Sequence, residues 1–309
     1  MPAPQSLGQL MIQGVSGSAD SFLADVGQIE ARLQTDQEQV SSGRKINRPS
    51  DDPATITDIL QINASLARTT QIGQNLTNVA AEVSGGENAI SSAITTLDNV
   101  ATLAAEGDNF NQTAADRAQL AGQVQGALQN LIADANTSVA NRYVFSGDSD
   151  QTAPYSLDLT AASGVSAYAG SAATRAVEDP RGGTIAVSQT AQQIFDAPGA
   201  SVFAAVNQIR LALLNNDQAG LTTAISNLKT AQQHINDSLA FYGTAQNDVT
   251  EATSAGKAME LQLQTNLGNL QDADVAQVAS DLATAQLNLQ AAFQVRAKYP
   301  AESLFNFLA

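Results

Sequence analysis

Few residues of this chain are of types whose spacing suggests chemistry, and most of those have a plainer structural reading. The single histidine, His234, stands beside Ile235 in a helical stretch, where a neutral or solvated imidazole is expected rather than a general base. Asp272 and Asp274 have the spacing of a carboxylate pair, but no acid–base partner accompanies them. They read as helix-end residues, with Asp272 capping the last helix and Asp274 in its first turn, where the helix dipole favours a carboxylate. Ser146-Gly147-Asp148-Ser149-Asp150 resembles the start of a calcium loop. The ligand spacing then runs out and no bidentate Glu follows, so a simple turn is expected. Gly85-Gly86 precedes no Gly-Lys-Ser/Thr, which favours close backbone packing or a kink over phosphate binding. No nucleophile, base and orienting group come together, so the chain is not expected to be an enzyme, to hold a metal or to need a cofactor.

The remaining cluster is ionic. Arg44, Lys45 and Arg48 lie within a few residues of Asp51 and Asp52, and they are three of only 14 cations. One reading is a solvated loop. The other is a contact between subunits, in which ion pairs worth about 0–1 kcal/mol each set register more than affinity.

Composition narrows the field further. Among 309 residues, Lys+Arg number 14 and Asp+Glu 30, giving a net charge of −16, with no Cys and no Trp. Disulfides, thiolate metal sites and cysteine nucleophiles are excluded. Nucleic-acid binding would need the opposite charge balance. No stretch approaches the ~18 apolar residues of a membrane span, and the first basic residue, Arg32, comes too late for a secretory signal. With 43% hydrophobic but only 5% aromatic residues, the interior must be built from small aliphatic side chains, which suits closely packed helices. Length alone suggests about two domains.

Those helices announce themselves by heptads. Steps of three and four from Ile59 pass through Ile62, Leu66, Thr69, Gly73, Leu76, Ala80, Val83, Glu87, Ile90, Ile94, Leu97, Ala101 and Ala104, mostly apolar and without a proline. A second run begins at Ile225 and passes through Leu228, Ile235, Leu239, Tyr242, Val249, Leu263, Leu267 and Leu270, then resumes from Val275 to Ala292. A shorter helix is read over Leu120, Val124, Leu128, Leu131, Ala135 and Val139. A long helix cannot bury such a stripe alone, so the stripes near the two ends are expected to meet. Gly43 suits a C′ position, Asp52-Pro53 reads as N-cap and N1, and Thr113 with Asp116 as a capping box. Between about Asp148 and Pro198 the heptads stop. There Arg175–Val177 and Thr184–Val187 read as strands around an Asp-Pro-Arg-Gly-Gly turn. A helix from about Ser201 to Leu214 leads back.

The stretch Ser41-Ser42-Gly43-Arg44-Lys45-Ile46-Asn47-Arg48-Pro49-Ser50-Asp51-Asp52-Pro53 closely resembles the N-terminal loop of the bacterial flagellin superfamily. Proline at 53, where filament flagellins usually carry alanine, is similar to the hook–filament junction branch of that family, the hook-associated protein 3 type. Asn141-Arg142-Tyr143-Val144-Phe145-Ser146-Gly147 resembles the branch's motif at the entry to its outer domain, although the family normally begins it with Gly. Ser303-Leu304-Phe305-Asn306-Phe307-Leu308 resembles its ending, and Asp272-Ala273-Asp274 occurs across the superfamily.

The resemblance implies a mainly α fold: a long coiled-coil rod of paired N- and C-terminal segments with a small β-rich inserted domain. The expected parts are an N-terminal assembly segment (1–52), two halves of the rod (53–147 and 199–271), the outer domain (148–198) and a C-terminal assembly segment (272–309). The implied role is a non-enzymatic subunit, exported unfolded without a cleaved signal to the extracellular flagellum. It would form a homo-oligomeric ring joining hook to filament, beside another hook-associated protein and flagellin, and be escorted by an export chaperone. Neither nucleic acid nor membrane insertion enters. Subunit-contact candidates are Arg44, Lys45, Arg48, Asp51, Asp52 and Pro53 in the loop, and Leu282, Leu289, Phe293, Leu304, Phe305, Phe307 and Leu308 near the end. A filament flagellin with a small outer domain stays open, and more remotely a coiled-coil signalling protein. Residues 1 to about 45 and 270 to 309 are expected to be disordered alone and to become helical on assembly.

Overall fold

A computed structural model describes residues 7–298 of the chain, with side-chain surroundings from 20 to 297. The fold is mainly α with a small β-containing region, and it divides into two compact units. One comprises residues 1–66 and 262–309, the other 67–261. Two long helices, α2 (Pro53–Gly107) and α6 (Gln218–Gln271), contribute to both. No described helix is long and apolar enough to cross a membrane.

The larger unit holds the dense core. Here α2 buries Ile72, Leu76, Val83, Ile90, Leu97 and Ala104, close to the expected seam, and widens the stripe with Ala89, Ala93 and Val100. The helix α3 (Ala114–Ala135) packs against α5 (Val202–Leu214). Thr113 and Asp116 form the expected capping box of α3, and Ser201 caps α5. The helix α3 ends earlier than its heptads suggest. Val139 belongs to strand β1 (Ser138–Val139), which pairs with β2 (Arg142–Tyr143) across a two-residue turn.

In α6 the buried register is Leu221, Ala224, Leu228, Ala231, Ile235, Ser238, Tyr242, Ala245, Val249, Ala252 and Gly256. Large and small residues largely alternate at steps of three and four, the spacing of a helix–helix seam. Ile225 and Leu239, assigned to the seam from sequence, are only half-buried at its edge. Gly85 and Gly86 do not break α2. A Cβ on Gly85 would stand 2.6 Å from Val139 Cγ2, and one on Gly86 2.6 Å from Tyr242 Cε1, so close packing explains the pair. Through Tyr242 the α2 and α6 stripes meet, as expected.

The inserted segment folds around the Val144-Phe145-Ser146-Gly147 motif. The Phe145 ring meets Phe195 at 5.9 Å and Tyr242 at 6.0 Å, and Phe203 touches both Phe195 and Tyr155. Phe145 O accepts hydrogen bonds from Ala191 N and the Tyr168 hydroxyl. Gly147, at φ +62, leaves no room for a Cβ, which would stand 2.5 Å from Ser171 O. Strands β3 (Ala176–Glu178) and β4 (Thr184–Ala186) form the expected antiparallel hairpin. Its turn uses positive φ at Gly182 and Gly183. The hairpin folds onto the helices: Arg175 pairs with Glu82 at 2.7 Å, Arg181 with Glu251 at 2.6 Å, and Glu178 with Arg68. Pro180 fills the space opposite Gly256. The short helix α4 (Ala191–Phe195) is tied to α6 by His234 Nε2, 2.7 Å from Gln193 O, which gives the lone histidine a structural partner.

The smaller unit is thinner. Helix α1 (Leu7–Ser42) packs against α7 (Val275–Lys298). Val26, Ile46, Ile59 and Ala285 are the buried apolar residues among those described in this unit.

Candidate assembly site

The basic loop is built by the way α1 stops. Gly43 takes φ +69, the left-handed conformation that ends helices, and its N–H donates to Gln39 O at 2.9 Å. The chain then runs antiparallel to the end of α6. Lys45 N donates to Gln271 O at 2.8 Å, Ala273 N donates to Gly43 O at 2.9 Å, and Arg44 bridges Asp272. Two motifs more than 220 residues apart, Gly43-Arg44-Lys45 and Asp272-Ala273-Asp274, are thus one short backbone ladder. Lys45 Nζ adds a bond to Asn269 O at 3.3 Å, and Ile46 is buried beneath the loop.

The loop carboxylates are occupied by backbone. Asp51 Oδ2 accepts from Arg48 N at 2.7 Å and Asn47 N at 2.9 Å, closing the turn over Pro49 and Ser50. These bonds to the ionised form hold the Asp51 carboxyl below its ordinary range. Asp52 caps α2, accepting from Thr55 Oγ1 at 2.6 Å and from Thr55 N and Ala54 N at 3.2 Å, which likewise lowers its pKa. Pro53 follows as the first helical residue. Direct ion pairs between the loop cations and these aspartates, suggested by their proximity in sequence, do not form. Arg48 pairs instead with Glu38 of α1 at 2.5 Å. The Arg44 side chain is exposed and enters none of the ion pairs among the described residues.

The far side of the ladder corrects one assignment. Asp274, not Asp272, caps α7: its Oδ1 accepts from Ala276 N and Gln277 N, both at 3.1 Å. Asp272 N still donates to Gly268 O, so Asp272 belongs to the closing turn of α6. Along α7, Leu282 and Leu289 are half-buried. Phe293 meets Phe22 edge-on at 6.4 Å, and the Arg296 guanidinium lies 5.6 Å from the same Phe22 ring. A second face stays open: Leu287 is 65% exposed and Val295 58%. Leu304, Phe305, Phe307 and Leu308 lie outside the described residues.

The other carboxylates singled out from sequence have local duties. Asp150 pairs with Arg142 at 2.6 Å, and Ser146–Ser149 is a simple turn.

Residues 16–150 match the bacterial flagellin N-terminal helical region. The chain is 26% identical over 292 residues to flagellar hook-associated protein 3 of Escherichia coli strain K12, spanning 87% of this chain and 90% of that protein. Both likenesses point to the bacterial flagellins and their hook-associated relatives. The fold agrees. A putative flagellar hook-associated protein from Vibrio parahaemolyticus superposes with a TM-score of 0.63 at 19% identity, covering 72% of this chain and all of that one. The flagellar junction protein of Legionella pneumophila gives 0.56 at 17%, covering 70% and 100%. The structure joins the two segments Gly43-Arg44-Lys45 and Asp272-Ala273-Asp274. Sequence reasoning quoted the two separately. The ladder between them rests on backbone groups, which leave no mark in residue type.

Proposed function

We propose that the chain is a structural subunit of the bacterial flagellum that joins hook to filament. The observation that carries this reading is the ladder between Gly43–Lys45 and Gln271–Ala273, set beside an α7 helix whose Leu287, Phe293 and Val295 remain exposed. Burying a Leu or Phe fully is worth roughly 1.5–3 kcal/mol, so an open face of this kind favours further subunits. The name of the Escherichia coli relative supports the same role.

In this reading copies of the chain form a ring, with another hook-associated protein on one side and flagellin on the other. The subunit does no chemistry. It reaches the cell exterior through the flagellar export apparatus, held unfolded by a chaperone. The absence of cysteine suits passage as an unfolded chain, because no disulfide has to be broken. Arg44, Lys45, Arg48 and the apolar residues of α7 face neighbouring subunits, while Asp51, Asp52 and Pro53 give the loop its shape.

Deleting the gene should leave hooks without filaments and full-length flagellin in the medium, visible by electron microscopy and immunoblot. Normal filaments in that strain would overturn the reading. Copies distributed along the whole filament, counted by immunogold labelling, would make the chain a filament flagellin instead.

A further inference from the structure

The end of α2 in the larger unit carries apolar surface that the fold does not use. Phe110, in the loop after α2, is 90% exposed, and Leu211 and Leu214 at the end of α5 are also exposed. The loops bearing them are latched together. Arg117 Nε donates to Gly107 O at 2.8 Å, its Nη2 to Asn109 O and Gln218 Oε1 at 3.2 Å, and its Nη1 to Asn216 Oδ1. Gln218 Nε2 donates to Asp108 O and Oδ1, both at 2.6 Å. Leu213 fills the space where a Gly107 side chain would stand. An aromatic side chain held out from a latched loop has the character of an interface anchor.

The rim of this patch is acidic. Glu106, Asp116 and Asp217 are exposed. The two nearby cations, Arg117 and Arg210, are buried, bond neutral oxygens and form no ion pair with these carboxylates. Asp116 accepts from Thr113 N and Asp217 from Gly220 N, both at helix starts. Glu106 has no such duty. It sits in the last turn of α2, where the helix dipole disfavours a carboxylate, and it enters no ion pair among the described residues. The fold gains nothing from it there.

We propose that Phe110 and Glu106 dock the Arg44 loop of a second copy of this chain, with the Phe110 ring as anchor and Glu106 facing Arg44. Charge complementarity selects the occupant. Copies carrying −16 each repel one another, so a contact between them needs a cationic patch. The loop of Arg44, Lys45 and Arg48 is exposed, and while Arg48 pairs with Glu38, Arg44 enters no ion pair among the described residues. The proposal rests on the reading of the chain as an assembling subunit and adds the surface through which it does so.

The cysteine-free sequence makes the test direct. Full-length Arg44→Cys and Glu106→Cys chains are prepared separately, mixed and oxidised, and disulfide-linked dimer is read on a non-reducing gel. The mixture should yield about tenfold more dimer than either variant alone, and Phe110→Ser in the Glu106→Cys chain should remove that excess. Circular dichroism should show Phe110→Ser fully folded. A mixture that cross-links no better than the single variants overturns the proposal. In a strain lacking the gene, Arg44→Glu and Glu106→Arg should each fail to restore filaments, and the double variant should succeed. Restoration by each single variant overturns this docking but leaves the junction role standing. That role fails only where the strain makes filaments with no copy at all.

Discussion

The two units bury their apolar residues to very different degrees. Residues 67–261 enclose Tyr242, Phe145, Phe195, Phe203, Leu97 and Leu131 almost completely. In the unit formed by 1–66 and 262–309, Phe22, Leu33, Leu282 and Leu289 are only half-covered, and Leu23, Leu287 and Val295 are exposed. Both are helical and both follow a three–four apolar spacing. Helical pattern is therefore no measure of stability: what separates them is how many partners each helix finds in its own chain. The larger unit encloses a core of its own, and the smaller one leaves most of its apolar side chains partly or fully exposed.

The largest expected effect tests that contrast directly. In the isolated full-length chain, amides of α1 and α7 should exchange roughly a hundredfold faster than those of α2 between 72 and 104, because local opening follows buried contact. Mass-resolved hydrogen exchange reads both at once. Equal protection would erase the distinction and with it the expectation that the ends order on assembly.

Point substitutions sharpen it next. Phe203→Ala should cost about 3–5 kcal/mol in chemical unfolding, since it empties a fully enclosed aromatic site between Phe195 and Tyr155. Leu289→Ala, on the half-covered face of α7, should cost under about 1 kcal/mol in the same assay. A comparable loss at both would mean that α7 shares the main core.

What the sequence disclosed follows the same divide. Helix spans, the Thr113–Asp116 box, the Gly43 stop and the β3–β4 turn were legible because each depends on residues a few positions apart. The α6 register was misread at Ile225 and Leu239. The true seam is half Ala, Ser and Gly, which give no hydrophobic signal although they allow the helices to approach. The cap of α7 was placed two residues early because Asp272 and Asp274 are equally good capping types, and only the path of the backbone separates them. The Arg48–Glu38 pair and the ladder joining Lys45 to Gln271 arise from tertiary placement, which local spacing does not encode.

A smaller effect concerns a weak point of the dense unit. Asp134 sits in the last turn of α3, partly buried, with Oδ2 enclosed and unbonded. Burial raises its pKa above the ordinary carboxylate value, although Ser92 pulls the other way. A raised folded-state pKa means the folded chain binds more protons than the unfolded one between the two values, so stability falls as pH rises through that window. At neutral pH the charged group is a penalty. Asp134→Asn should therefore raise stability by about 1 kcal/mol at pH 7, and the gain should shrink as pH falls through that window and be gone below the unfolded aspartate value. Thermal unfolding of both chains across that range measures it, and a gain that grows on acidification would contradict the sign.

The smallest expected effect lies in the β1–β2 turn, where Ala140 and Asn141 both take positive φ, 50° and 62°. With Val139 opposite Arg142, the two residues form the kind of tight turn whose favoured sequence is Asn-Gly. Asn141 tolerates the left-handed region through its short polar side chain, whereas alanine pays for it in steric strain. Changing Ala140→Asn together with Asn141→Gly should stabilise the larger unit by about 0.5–1 kcal/mol, seen as a higher denaturant midpoint with an unchanged slope. The smaller unit should not respond, because the turn belongs wholly to residues 67–261. If exchange in α1 and α7 slowed in step with the larger unit, the two would be unfolding as one.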